Sequence, residues 1–128
     1  MTQWMGDQLD KVGRAEELQI TSVRRDGTPR KPVTVWVVRH GDDLYVRSVR
    51  GRSGAWFRGV QEIHEGRIRA GGVEKEVTFV EAEHDLEDEI DAAYRQKYRR
   101  YAGRILDSVL TPEARSTTIK VVPRSTSS

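Results

Sequence analysis

The chain has 128 residues, room for one hydrophobic core and not for two. It contains no cysteine, which excludes a disulfide scaffold, a thiol nucleophile and a cysteine-ligated metal centre. The longest apolar run, Val35 to Val38, is far short of the roughly 20 residues a membrane-spanning helix needs. No apolar stretch follows Met1, so no export signal is expected and the expected address is the cytoplasm. The net charge is only +2, but it is unevenly spread: residues 24–69 carry a net +6 and residues 74–91 a net −8. Either one surface meets an anion, or the two segments pair with each other or with a second subunit.

In chain order, residues 2–17 read as a short helix, with Leu9, Val12 and Leu18 on one side and Gly6-Asp7 as its start. Residues 18–25 alternate as a strand, and Asp26-Gly27 follows as a hairpin turn. Residues 33–39, rich in valine, form a second strand, with Pro29 and Pro32 before it where a missing N–H costs least. After the turn at 40–43, residues 44–49 form a third strand, with Leu44, Val46 and Ser48 opposite Tyr45, Arg47 and Val49. Gly51 to Gly54 breaks the alternation, and Ser53 is placed to cap a short helix through Ala55, Trp56, Phe57 and Val60.

Residues 64–70 and 76–82 read as two further strands around the Gly71-Gly72 turn. Asp85 is expected to cap the longest helix, whose stripe is Leu86, Ile90, Ala93 with Tyr94, Tyr98 and Tyr101. Thr111-Pro112 opens a last helical turn, residues 117–122 form a sixth strand, and residues 124–128 are expected to be a disordered tail beyond a single domain spanning 1–123. The expected fold is mainly β: six antiparallel strands in a small barrel with one long helix and short ones.

Few residues suggest chemistry. His40, His64 and His84 fall at turns or strand ends without metal-ligand spacing, so no metal site is expected. There is no nucleophile elbow, no Gly-Lys-Ser/Thr phosphate loop and no GxGxxG. Glu87, Asp88, Glu89 and Asp91 read as a solvated helix face rather than a general-acid pair. The basic, aromatic segment 45–58 suits single-stranded nucleic acid poorly because the net charge is low, and no nucleic-acid partner is expected. The informative stretch runs from Tyr45 to Arg58, where a strand ends in Arg47, Ser48 and Arg50 before a glycine bend and a helix start. Free N–H groups at a helix start attract phosphate, and arginine grips it bidentately. Arg25, Arg30 and Lys31 flank the preceding hairpin and are expected on the same side. Exposed barrel arginines are the plainer alternative.

The series Arg24-Arg25-Asp26-Gly27-Thr28-Pro29-Arg30, Val35-Trp36-Val37-Val38, Asp42-Asp43-Leu44-Tyr45-Val46 and Ala55-Trp56-Phe57 resembles the first half of the split β-barrel flavin and deazaflavin proteins, the pyridoxamine-phosphate-oxidase-like superfamily. Over residues 18–123 the chain more closely resembles the bacterial family called domain of unknown function 2255, in the stretches that begin at Lys31, His64 and Ile90. The split-barrel resemblance implies a homodimer with flavin mononucleotide (FMN) or a deazaflavin between subunits. It implies phosphate contacts from Arg47, Ser48, Arg50 and Gly51, with Trp36 and Trp56 near the ring or under the loop. Arg50 stands where deazaflavin relatives carry lysine, and the asparagine-containing pairs that usually follow the helix are replaced by Arg58-Gly59-Val60 and Glu62-Ile63-His64. No catalytic residue is assigned. Tyr94 or Tyr98 is a candidate proton donor, with core packing the favoured role. The expectation is a redox protein acting on a small organic substrate. The alternatives are a non-redox ligand-binding or biosynthetic protein of the same fold, or an interaction protein whose charged segments pair across a dimer.

Overall fold

A computed structural model of the chain describes residues 4–101 and 103–124. Helix α1 spans Gly6–Arg14, starting where Gly6-Asp7 suggested and ending three residues before the expected limit. Its Leu9 and Val12 are buried, and the Trp4 indole donates to the Val121 carbonyl at 2.9 Å, so this segment closes one end of the core. The strands are β1 (Leu18–Ser22), β2 (Val33–Val35), β3 (Val37–His40), β4 (Asp43–Val46), β5 (Glu65–Ala70), β6 (Val73–Glu81) and β7 (Ile119–Pro123).

All seven belong to one sheet in the order β2-β1-β5-β6-β7-β4-β3, every pairing antiparallel. There are therefore seven strands where six were expected, and the difference is one bend. The expected second strand breaks at Trp36: its first half pairs with β1 at one end of the sheet, its second half with β4 at the other. A single stretch of chain thus brings the two ends of the sheet together in a nearly closed barrel.

Helix α3 (Glu87–Lys97) and the turn after it satisfy the backbone at that bend. Tyr94 Oη donates to the Trp36 carbonyl at 3.5 Å, the Val37 N–H donates to Tyr98 Oη at 3.1 Å, and Lys97 Nζ donates to the Val37 carbonyl at 2.6 Å. Tyr98 Oη in turn donates to the Glu16 carbonyl at 2.7 Å. Side chains supply here what a ladder partner supplies elsewhere.

The strands alternate about two cores. Leu18, Ile20, Val37, Leu44, Val46, Ile68, Val77, Phe79, Ile119 and Val121 fill the barrel interior. Val38 and Tyr45 point outward and pack with Ile90, Tyr94, Tyr98, Leu106 and Val109 beneath α3. The expected long helix is shorter than its apolar stripe. A 3-10 turn at His84–Leu86 precedes α3, placing Asp85 inside that turn rather than at a cap, and a second at Arg99–Tyr101 follows. Short helices α4 (Arg104–Asp107) and α5 (Pro112–Arg115) lead into β7, and Thr111 caps α5 by accepting from the Ala114 N–H. Arg124 is held by its N–H to the Glu76 carbonyl and by an ion pair with Glu65; the rest of the expected tail lies outside the described residues. Among the described residues no helix is long and apolar enough to cross a membrane.

Part of the charge imbalance is settled within the chain. Arg47–Asp91, Arg67–Glu74 and Arg52–Glu81 ion pairs each join the basic segment to the acidic one.

Candidate functional site

A groove of about 500 Å³ lies along the outer side of the Trp36 bend. One wall is the edge formed by Val33, Thr34, Val35 and Trp36. The other is the end of β4 with its following loop, Arg47 to Arg50, and the start of helix α2 (Ala55–Glu62), where Gly54, Ala55 and Trp56 reach the groove. Ile105, Ser108 and Val109 close one side. The walls are mostly apolar, and three large aliphatic residues on them are exposed: Val33 at 36%, Val49 at 55% and Ile105 at 59%.

The loop brings the start of α2 to the groove. A 3-10 turn at Gly51–Ser53 reverses the chain, and Gly54 then stands at the N-cap of α2 in extended conformation. Ser53, the expected cap, instead donates its hydroxyl to the Arg50 carbonyl at 3.0 Å. Gly54 is required by close approach, since a Cβ there would lie 2.5 Å from Ser48 Oγ. Trp56, Phe57 and Val60 anchor α2 to the core, with the Trp56 and Phe57 rings edge to face.

The expected site residues divide into three groups. Trp36, Arg47, Ser48, Arg50 and Trp56 line the groove together. Gly51 is buried just behind it, its N–H on the Ser48 carbonyl at 3.0 Å. Arg25, Arg30 and Lys31 are not among the lining residues. Arg25 is exposed and paired with Glu62, Arg30 packs its Nε beside Gly59 of α2, and Lys31 is exposed in the approach to β2.

Arg47 and Ser48 are heavily committed inside the protein. The Arg47 side chain is fully buried. Its Nε donates to Thr118 Oγ1 at 2.9 Å, Nη1 to Asp91 Oδ1 at 2.5 Å and to the Val109 carbonyl at 2.9 Å, and Nη2 to the Glu87 carbonyl at 3.2 Å. The Tyr94 ring lies under the guanidinium at 5.3 Å. Of the five N–H bonds an arginine carries, one on Nη2 is left. Ser48 donates to the Gly51 carbonyl at 2.9 Å, and its N–H is taken by Thr117 Oγ1. Arg50 differs: it is exposed, and among the described residues its side chain has no hydrogen bond or ion pair.

Asp91 corrects the reading of residues 87–91 as a solvated face. Glu89 and Asp88 are exposed, but Asp91 is buried between Arg47 and Arg115, the latter at 3.2 Å. Tyr94 and Tyr98 sit in the core, and burial above all pushes both phenols well above their ordinary range, which keeps them neutral. Lys97 is pushed down to about 8 by burial, with Glu16 acting in the opposite sense. Among the described residues no group of three histidine or carboxylate side chains gathers as a metal site.

The groove residues not expected from the sequence include Glu17, the β2 edge, Val49, Gly54 with Ala55, and Ile105 with Ser108 and Val109. Ile105 is far along the chain and lies in a short helix with no marked pattern, so only the tertiary fold brings it here.

Residues 8–121 match a family described as an uncharacterized protein conserved in bacteria, DUF2255. The chain belongs to this family. Among curated proteins no sequence relative is found. Solved structures resemble the DUF2255 chain in fold. A provisionally assigned pyridoxamine 5'-phosphate oxidase from Listeria innocua superposes with a TM-score of 0.63 at 17% identity, covering 91% of this chain and 90% of that one. An F420 reductase superposes at 0.54 with 20% identity, covering 92% of each chain. A pyridoxamine 5'-phosphate oxidase-related, FMN-binding protein from Nostoc punctiforme gives 0.51 at 13% identity, covering 97% of this chain and 81% of that one. At these identities the likeness shows the fold alone, a nearly closed antiparallel barrel.

Proposed function

We propose that this DUF2255 protein binds a flavin or deazaflavin in the groove at the Trp36 bend and serves as an oxidoreductase for a small organic substrate. The observation that carries the reading is the pairing of an apolar, aromatic groove with one uncommitted arginine, Arg50, beside the first N–H groups of α2. The residues present fit such a group. Arg50, with the Ala55 and Trp56 N–H groups, would hold its phosphate, since a helix start and a guanidinium both favour an anion. Val35 would border its ring. When bound, the group supplies the hydride chemistry. The chain's own work is to bind, to orient and to keep water out. Arg47 and Ser48, on the groove wall, hold the end of β4 against α3 and the 51–54 turn. Arg25, Arg30 and Lys31 contribute positive charge around the hairpin rather than direct contact. Homodimer formation belongs to the same reading, with Val33, Val49 and Ile105 covered by a second subunit.

The test is titration of the purified protein with FMN and with F420, followed by absorption and fluorescence. Saturation near one cofactor per chain, weakened at least tenfold in Arg50→Ala, supports the reading. Saturation unchanged in that variant moves the phosphate elsewhere, and no binding of either cofactor overturns the flavin reading. A second reading, a non-redox protein that binds a small anionic ligand, is favoured by one observation: Arg47 and Ser48 spend nearly all their donors on the protein itself. Saturable binding of inorganic phosphate that depends on Arg50, without flavin affinity, would establish it.

A further inference from the structure

The charged residues lining the groove are Glu17, Arg47 and Arg50. Arg47 is neutralised by Asp91, so the charges left on the groove lining are the Arg50 cation and the Glu17 carboxylate. Glu17 directly precedes Leu18, which pairs with Val35, and this places it beside the Trp36 bend. Its neighbour Glu16 is engaged by Arg100 and Tyr101. Glu17 has no hydrogen-bond or ion-pair partner among the described residues, and Lys97, the buried cation of this corner, is directed at the Ala15 and Val37 carbonyls. Trp36 offers the second element. Tyr98 stacks on one face of its indole, with ring centroids 3.9 Å apart and planes 2° from parallel, and Tyr101 lies at 5.3 Å. The half-buried indole faces the groove with what remains.

An indole backed by a tyrosine and set beside an uncompensated carboxylate attracts positive charge, through the ring quadrupole and through the carboxylate together. We propose that the Glu17–Trp36 end of the groove is a subsite for an organic cation, so that the small substrate of this protein is an amine or a cationic heterocycle. Naming that ligand the substrate rests on the flavin reading; the subsite itself does not.

The probe is benzyltrimethylammonium, titrated into the full chain without any flavin. The readout is the indole N–H resonances of Trp4, Trp36 and Trp56, with Trp36→Phe identifying its own. The expected result is a saturable shift of the Trp36 resonance, with affinity reduced about threefold or more in Glu17→Gln, the loss an exposed charge pair supports. Benzyl alcohol and benzoate should shift it weakly or not at all. Glu17 is exposed, so the variant should keep the wild-type melting temperature. The proposal is overturned if the cation gives no saturable shift, if Glu17→Gln weakens it by less than about threefold, or if benzyl alcohol binds as well. Because flavin is absent, failure here leaves the cofactor titration to stand or fall on its own.

Discussion

Arg47 shows how a residue's role depends on what packs over it. By alternation it shares a face with Tyr45, and Tyr45 lies beneath α3. The signal that Arg47 would be covered was therefore present in the strand pattern. Its partner Asp91 sits next to Ile90 in the apolar stripe of the helix, a second sign that went unread because neighbouring carboxylates suggested a solvated face. Removing the guanidinium leaves the buried Asp91 with only the partly exposed Arg115 and takes the donor from the Val109 and Glu87 carbonyls, so Arg47→Ala should lose about 3–5 kcal/mol in urea denaturation. Arg50→Ala, on the exposed side of the same loop, should leave the midpoint nearly unchanged.

Lys97 gives a pH signature. Its folded value near 8 lies below the ordinary 10.5, chiefly because burial disfavours the cation. The unfolded chain thus holds this proton more tightly than the folded one. The stability linked to Lys97 is complete above about pH 10.5, declines as pH falls towards 8, and is absent below that, where the charge stays buried. Relative to Lys97→Met, and allowing for the part of the side chain that solvent still screens, the wild type should gain on the order of 2 kcal/mol between those limits. The comparison removes the opposing effect of the tyrosines, and a flat difference between the two proteins would contradict it.

At the scale of elements, most of the barrel was legible because inward and outward positions alternate cleanly in β1, β4, β5 and β7. Its closure was not. Residues 33–39 read as one strand because period-two alternation does not report which neighbour a strand pairs with, and the bend at Trp36 depends on hydroxyls and an ammonium from α3 and its end, far along the chain. The helix boundaries missed for a related reason: Asp85 and Ser53 are good caps by type, but each falls in a 3-10 turn fixed by tertiary packing. The pairing of β1 with β5 carries its own requirement. A Cβ at Gly66 would come within 2.4 Å of the Thr21 carbonyl and 2.9 Å of the Phe79 ring. Both neighbours are locked in the sheet and core, so Gly66→Ala should cost about 1–3 kcal/mol, seen as a lower denaturation midpoint.

For the whole molecule, the groove was legible only in part. The loop from Arg47 to Gly51 drew attention by its arginines and glycines, whereas Glu17, Val33 and Ile105 carry no motif and meet through the fold. Ile105 also bears on assembly. If a second subunit covers Val33, Val49 and Ile105, the contact is mainly apolar, because those residues are aliphatic and part of the charge available to join subunits is already paired within one chain. Sedimentation should then show a dimer that persists in about 1 M salt, where the Debye length is only about 3 Å, and that dissociates in Ile105→Glu with the fold intact. A dimer that falls apart in salt would point back to charge pairing.

The bend at Trp36 has a thermodynamic consequence. The residue that joins the two ends of the sheet is also a wall of the groove, so a ligand seated against Trp36 also bears on the seam of the barrel. Occupancy and global unfolding are then linked equilibria: at about a hundredfold excess over its dissociation constant, a ligand that binds only the closed barrel adds about 2.7 kcal/mol to its stability. The melting temperature of the protein thus becomes a ligand assay that requires no knowledge of the reaction.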